Sequence, residues 1–227
     1  MSNKVDFDDY TENYNQLLRK RTRFFSSSDE YFAKYKVGLV RKQVHTPVHR
    51  ILEYGCGIGR NIPYLQQAFP NAVIMGSDIS SASLEIAQRD NTGVEFFRED
   101  ENVEPTRLFD VVFVAGVFHH IPVVQRAEVA KTLCKRVSPG GLLFVFEHNP
   151  LNPVTRRIVN NCPYDEDAVL LKPSELQRIL SEAALIVERK TYCLFVPPSL
   201  SVLAWLENKL GWLPLGGQYF IQARRPI

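Results

Sequence analysis

Short apolar runs alternate with amphipathic segments from residue 51 onward, and this alternation constrains the fold more than any other feature of the chain. We predict strands over residues 49–54, 72–77, 94–97, 110–115 and 142–147, and two late strands over 186–196 and 218–225. Apolar runs of this length are typical of strands buried on both faces of a parallel sheet, with the amphipathic segments packed on its two sides as helices. The sequence therefore predicts an α/β fold.

Local signals mark where helices and turns should lie. A serine can cap a helix over residues 81–89, and Pro122 suits the first turn of another. Ser174 and Gln177 fit a capping box. The segment 138–141, Ser-Pro-Gly-Gly, predicts a turn before the fifth strand, and leucines at helical spacing predict a helix over 199–213. Two aromatic-rich helices are expected within residues 1–45.

Composition restricts the class of protein. The 227 residues are 45% hydrophobic and carry a formal net charge of +2, which suits a single domain and argues against a nucleic-acid partner. The four cysteines form no Cys-x-x-Cys pair, and we expect no metal site and no disulfide framework. Trp205 and Trp212 are expected by default to pack in the core, and a dimer surface or an apolar wall for a substrate are the alternatives for their segment.

Targeting signals are the next constraint. The first ten residues lack a charged region followed by an apolar one, and the apolar run at 111–118 is too short to cross a bilayer. We therefore expect a cytoplasmic protein with no membrane span, whereas peripheral contact with a membrane stays open.

A glycine-rich loop follows the first strand in the stretch ILEYGCGIGRN, residues 51–61. Gly55, Gly57 and Gly59 let a ligand approach the backbone and meet the free N–H groups of the next helix. In a dinucleotide fingerprint a third glycine packs helix against strand, but Arg60 occupies that place here. The loop thus favours a ligand other than a pyrophosphate.

Two acids follow the next two strands. Asp78 can accept hydrogen bonds from both hydroxyls of a ribose, and Asp100 can accept one from an exocyclic amine such as that of adenine. Because the carboxyl ends of parallel strands meet at one edge of the sheet, the loop and the acids together predict a nucleoside site.

These motifs resemble, in register, those of the class I S-adenosylmethionine-dependent methyltransferases. The resemblance covers about residues 48–148 and rests on ILEYGCGIGRN, VIMGSDIS, VEFFREDEN, FDVVFVAGVFHHIP and SPGGLLFVFEH. It implies a Rossmann-like three-layer sandwich whose seven-stranded, mostly parallel sheet has an antiparallel last strand. It also implies S-adenosylmethionine as cofactor and S-adenosylhomocysteine as product.

The resemblance further implies which residues bind the cofactor. Glu53 takes the acidic position near the positively charged methionine end, and an aromatic residue of the first helix, Tyr14, covers the cofactor. The full set implied is Tyr14, Glu53, Gly55, Cys56, Gly57, Gly59, Asp78, Ile79, Asp100, Glu101 and Ala115.

Three histidines are candidates for catalysis. Methyl transfer from a sulfonium is an in-line displacement, in which a general base helps when the acceptor is a hydroxyl or an acidic carbon. His119 and His120 follow the fourth strand at the edge where ligands bind, and His148 follows the fifth. Either of the first two could instead cap the helix that begins near Pro122.

We expect one domain with three parts: a helical cap over residues 1–45, a cofactor-binding core over 46–148, and an acceptor lid with the last strands over 149–227. The favoured function is methylation of a small-molecule acceptor, such as a glycan, a lipid-linked compound or a natural product, by a monomer or homodimer. A cofactor-binding protein without catalysis and a nicotinamide-dependent oxidoreductase are the alternatives.

Overall fold

The structure is a computed structural model that describes residues 29–99, 107–162, 165–196 and 205–227. Its strands are β1 (Arg50–Tyr54), β2 (Val73–Asp78), β3 (Glu95–Arg98), β4 (Phe109–Ala115), β5 (Val137–His148), β6 (Ile186–Cys193) and β7 (Gln218–Arg224). Its α-helices are α1 (Asp29–Gln43), α2 (Ile62–Ala68), α3 (Ser81–Asp90), α4 (Arg126–Arg136), α5 (Pro153–Asn160), α6 (Pro173–Glu182) and α7 (Glu207–Leu210). Two short 3₁₀ helices, Phe118–His120 and Val123–Gln125, lie between β4 and α4.

The strands form one seven-stranded sheet in the order β3-β2-β1-β4-β5-β7-β6. Strands β1 to β5 pair in parallel, whereas β7 runs antiparallel to both β5 and β6. The predicted architecture, including the antiparallel last strand, is confirmed. The strand order reverses between β1 and β4, so a crevice opens at their carboxyl ends, where open α/β sheets bind ligands.

Apolar side chains cover both faces of the sheet. On one face Val37 and Val40 of α1 pack with Ile62 and Leu65 of α2 against β1 and β4. On the other face α4 and α6 supply Ala130, Leu133, Leu176, Ile179 and Leu180. The central strands are buried from both sides, which explains why they appear in the sequence as unbroken apolar runs.

Three local predictions are wrong. The segment 138–141 belongs to β5 rather than to a turn, because the Gly140 N–H donates to the Arg225 carbonyl at 2.9 Å and extends the ladder. Helix α6 begins at Pro173, with Lys172 as its N-cap and no side-chain cap, so Ser174 does not open a capping box. Pro122 precedes a 3₁₀ helix, and α4 begins only at Arg126.

The tryptophan segment also departs from expectation. Trp205 and Trp212 are 57% and 74% exposed, so neither packs in the core. Within the described part of the predicted helix, an α-helix extends only over Glu207–Leu210. Of the two helices expected before residue 45 the structure shows α1, and the first lies outside the described residues.

Candidate active site

The glycine loop between β1 and α2 is held open by backbone conformations that other residues rarely adopt. Gly55, Gly57 and Gly59 have φ values of +68°, +52° and +76°. A Cβ atom on Gly55 would lie 2.4 Å from Val117, and one on Gly59 would lie 2.7 Å from Asn91. A Cβ on Gly57 would meet nothing within 4 Å. The first and third glycines are therefore required by packing, whereas Gly57 borders open space that a ligand can fill.

Asp78, at the end of β2, ties this loop to the next strand. Its Oδ2 accepts the Gly57 N–H at 2.7 Å, and its Oδ1 accepts the Ser80 N–H at 2.9 Å. Each carboxylate oxygen has a second lone pair, so Asp78 can accept further hydrogen bonds from a ligand. The adjacent Ile79 is 51% exposed, and its apolar side chain borders the same strand end.

Glu53 is a buried acid at the carboxyl end of β1. It is 1% exposed and accepts a hydrogen bond from the Asn61 amide. Burial raises the pKa of Glu53 to about 8; the Asn61 hydrogen bond and Lys36 of α1 act in the opposite direction, and Asp78 adds to the rise. A buried carboxyl group of this kind is stabilised in its ionised form when a positively charged ligand group binds beside it.

Of the remaining cofactor candidates, the structure describes Cys56 and Ala115. Cys56 is buried and its N–H donates to the Ser77 carbonyl at 2.9 Å, so it fixes the loop against β2. Ala115 ends β4 beside the crevice and is half-buried. Tyr14, Asp100 and Glu101 lie outside the described residues.

The three candidate histidines lie together at the ends of β4 and β5. The rings of His119 and His120 have centroids 4.1 Å apart, and the ring of His148 packs edge-on to His119 at 5.1 Å. His119 is 2% exposed. The structure thus brings all three predicted side chains into one cluster.

Glu147, the last residue but one of β5, organises this cluster. Its Oε2 lies 2.6 Å from His119 Nδ1, and its Oε1 accepts the N–H groups of Val117 and Phe118 at 3.0 and 2.7 Å. Asp165 approaches from the far side, with Oδ1 3.6 Å from His119 Nε2 and 3.4 Å from His120 Nε2. His119 is therefore placed between two acids.

The charges of the cluster follow from these contacts. Burial disfavours the charged form of His119, but Glu147 and Asp165 outweigh it and raise its pKa to about 9. Burial and the neighbouring charge of His119 lower the pKa values of His120 and His148 to about 4 each. At neutral pH the cluster thus holds one cationic ring and two neutral ones.

Comparison with known proteins agrees with this geometry. A family described as a methyltransferase domain matches residues 51–141, the segment that carries the glycine loop, Asp78 and the histidine pair. A SAM-dependent methyltransferase structure from Archaeoglobus fulgidus superposes with a TM-score of 0.70 at 14% identity, covering 93% of this chain and 99% of that one. These findings support the predicted family, the class I S-adenosylmethionine-dependent methyltransferases, and its predicted cofactor.

Several curated relatives carry the name trans-aconitate 2-methyltransferase, and two of them illustrate the similarity. That of Acidovorax sp. (strain JS42) is 25% identical over 76% of this chain and 72% of its own length. That of Methylobacterium nodulans is 29% identical over 51% of this chain and 46% of its own. The chain spans only part of some relatives. It covers 25% of the length of a protein to which it is 34% identical, and 46% of the length of the Methylobacterium nodulans protein.

Sequence reasoning missed four residues of the candidate site. Glu53 accepts a hydrogen bond from Asn61 and faces Lys36. His119 lies between Glu147 and Asp165. A signal existed for Glu147, since a charged residue that ends an apolar strand is unusual. Lys36 and Asp165 are distant in sequence from the groups they face, so no local pattern marks them.

Among the described residues, no helix combines the length and apolar character that crossing a membrane requires.

Proposed function

We propose that this protein transfers a methyl group from S-adenosylmethionine to a small-molecule acceptor. The observation that carries the proposal is the open space above Gly57, whose N–H is held by Asp78, close to the buried acid Glu53. This arrangement offers a backbone that a ligand can approach, a carboxylate for a ribose diol and an acid for a cationic group. S-adenosylmethionine carries the matching groups in one molecule: a chain that can lie against the backbone, a ribose diol and a cationic ammonium.

We assign each candidate cofactor-binding residue a role toward the bound S-adenosylmethionine. Asp78 accepts the ribose hydroxyls, and Glu53 with Asn61 faces the methionine ammonium. Ile79 and Ala115 border the adenosine part, together with Asp100, Glu101 and Tyr14, which the family resemblance assigns to it. Gly55, Cys56 and Gly59 keep the loop in the conformation that Gly57 needs.

The histidine cluster supplies the acceptor side. One ring nitrogen of His119 contacts Glu147, and the other faces Asp165. We therefore propose that His119 positions its neighbours and does not itself accept a proton from the acceptor. His120 lies between Asp165 and Asp167. Neither ring nitrogen of His148 has a hydrogen-bond partner within the described part of the chain, so His148 is the base we propose for an acceptor hydroxyl.

A small acceptor is supported by the relatives named trans-aconitate 2-methyltransferase and by the near-neutral charge of the chain. We propose that the protein binds no nucleic acid and that it is a monomer or homodimer. Residues 149–227 form the acceptor lid in this proposal. Arg156 and Arg157 border a cavity of about 300 Å³ on α5, where an anionic acceptor group could pair with them.

Calorimetric titration with S-adenosylmethionine, S-adenosylhomocysteine and NADPH tests the cofactor, and methyl transfer to trans-aconitate and to a panel of hydroxy acids, glycans and phenols tests the chemistry. We expect micromolar binding of the two sulfur nucleosides, none of NADPH, and turnover of one acceptor class. Binding without turnover of any acceptor favours a binding protein. Binding of NADPH alone contradicts the proposal and favours an oxidoreductase.

Gly57→Ala should weaken cofactor binding while leaving the fold intact. The added Cβ meets no protein atom, so the variant should lose only about 1 kcal/mol of stability from the left-handed backbone. The same Cβ enters the ligand space, so we expect the dissociation constant for S-adenosylhomocysteine to rise about 100-fold, roughly 2.7 kcal/mol.

Gly93→Ala is the matched control for Gly57→Ala. Gly93 has φ +81°, its Cβ would also meet nothing within 4 Å, and it lies in the turn before β3. This variant should show the same small loss of stability with unchanged affinity. Equal affinities of the two variants would show that no ligand lies against Gly57.

Cofactor affinity should rise with pH because Glu53 must ionise to face an ammonium. With its pKa at about 8, set by burial, Lys36, Asn61 and Asp78, Glu53 is mostly protonated at pH 6. Binding of the cation draws the proton off, so affinity for S-adenosylhomocysteine should increase up to about tenfold per pH unit between pH 6 and 7.5. Titrations across this range should show a flat profile in Glu53→Gln; a slope that persists in this variant assigns the titration to another group.

A further inference from the structure

We propose that His119, His120 and Asp165 form a binding site for a divalent transition-metal ion. Each side chain offers one ligand atom, and these atoms lie within 4.8 Å of one another. Two imidazoles and one carboxylate are a donor set that suits Zn²⁺, Fe²⁺, Co²⁺ and Mn²⁺. The cluster lies at the acceptor side of the proposed methyl donor, so the inference deepens the proposed function and rests on it for its role.

The distances within the cluster fit a bound ion better than a set of direct hydrogen bonds. Asp165 Oδ1 lies 3.6 Å from His119 Nε2 and 3.4 Å from His120 Nε2. Good N–H···O bonds are shorter, about 2.7–3.2 Å. Donor atoms placed about 2.1 Å from a tetrahedral or octahedral ion lie roughly 3.0–3.4 Å apart, so both Asp165–histidine distances lie at or just beyond the long end of this range.

Glu147 prepares His119 for this role. Because Oε2 of Glu147 lies 2.6 Å from Nδ1, this nitrogen keeps its proton, whereas Nε2 is directed toward Asp165 and loses its proton when a metal ion binds there. Metal-binding histidines commonly donate their second N–H to a carboxylate in this way, which fixes the ring and strengthens the ligand. The two acids that flank this ring, the buried Glu147 and the partly exposed Asp165, also favour a positive charge, and a metal ion can supply it in place of the Nε2 proton.

The segment that brings Asp165 to the histidines is anchored by the backbone. The Val169 N–H donates to the His119 carbonyl at 2.8 Å, and the Ala168 N–H donates to the Asp165 carbonyl at 3.0 Å. The acid is therefore positioned by main-chain bonds on the 3₁₀ helix that carries His119 and His120. A site with ligands on two such linked segments is preorganised.

An ion in this position favours acceptors that can bind it. Three protein ligands leave coordination positions open, and hydroxyl or carboxylate oxygens of an acceptor can fill them. Acceptors with two adjacent oxygen atoms should therefore bind more tightly than analogues that carry only one of the two.

Titration of the metal-free, chelator-treated protein with Co²⁺ tests the site directly, because bound Co²⁺ has visible d–d absorption. We expect stoichiometric binding in the micromolar range or tighter, competed by Zn²⁺. His120→Ala and Asp165→Ala should each weaken Co²⁺ binding at least 100-fold. Glu166→Gln changes an exposed acid beside Asp165 and should leave the affinity unchanged.

Two results would overturn the metal site: absence of Co²⁺ and Zn²⁺ binding by the folded protein, or equal affinity in the wild type and the Asp165→Ala variant. S-adenosylhomocysteine is titrated into the same samples, and its binding reports on the fold of each variant and on the proposed function. Cofactor binding without metal binding rejects the metal site alone. Metal binding without cofactor binding rejects the proposed function alone.

Discussion

Glu147→Ala should lower the free energy of unfolding by about 3–5 kcal/mol, the cost typical of removing one partner from a buried charged pair. Glu147 is 1% exposed, and its two oxygens serve the Val117 and Phe118 N–H groups and the His119 ring. Alanine leaves the buried Phe118 N–H and the partly buried Val117 N–H without their acceptor, and it leaves His119 with Asp165 as its remaining acidic neighbour. Chemical denaturation followed by circular dichroism measures the loss.

Two variants test whether the loss of stability in Glu147→Ala comes from burial of the pair. Glu182 forms an exposed ion pair with Arg178 at 2.8 Å on α6, so Glu182→Ala should cost less than about 0.5 kcal/mol. Glu147→Gln keeps an acceptor oxygen for the backbone N–H groups and should lie between wild type and Glu147→Ala. A cost below about 1 kcal/mol for Glu147→Ala would mean that water replaces the carboxylate and that the pair does not hold the cluster together.

The fold could be predicted because its determinants are local. The central strands β1, β2 and β4 are buried on both faces, so each is an apolar run that ends at a charged residue or a glycine. The serine cap of α3 is also local, since the Ser80 hydroxyl accepts the Ser83 N–H at 3.0 Å. Errors arose where a distant segment decided the structure.

The start of β5 illustrates such an error. Pro139 and two glycines predict a turn from local preference alone. In the structure the Arg225 N–H donates to the Gly141 carbonyl at 3.1 Å, and the Gly140 N–H donates to the Arg225 carbonyl. Pairing with the C-terminal end of the chain therefore extends the strand through residues that would otherwise turn, and nothing near Pro139 announces that pairing.

The same distinction separates the two halves of the site. The half proposed for the cofactor lies in one loop and the ends of neighbouring strands, so Gly57, Asp78 and Glu53 could be chosen from spacing and family resemblance. The half proposed for the acceptor is assembled from residues 119–120, 147–148 and 165, and its charges depend on which acids reach His119. The sequence could nominate the three histidines, but it could not show that Glu147 engages one of them.

Asp78→Ala should raise the dissociation constant for S-adenosylhomocysteine by about 100- to 1,000-fold, or roughly 3–4 kcal/mol. Two hydroxyl hydrogen bonds to a carboxylate contribute about 1.5–3 kcal/mol each. The variant also removes the acceptor of the Gly57 N–H at 2.7 Å, which loosens the loop that the cofactor approaches. Calorimetry with S-adenosylhomocysteine measures the change.

The control for Asp78→Ala is Asp90→Ala, which removes an exposed acid paired with Arg89 at the end of α3 and should leave affinity unchanged. A 2′-deoxy analogue of S-adenosylhomocysteine assigns the contact to the ribose. The analogue should bind the wild type more weakly than the parent compound does, whereas the Asp78→Ala variant should bind the two about equally. If the wild type binds both ligands alike, Asp78 acts by holding the glycine loop rather than by contacting the ribose, since its carboxylate then gains nothing from the missing hydroxyl.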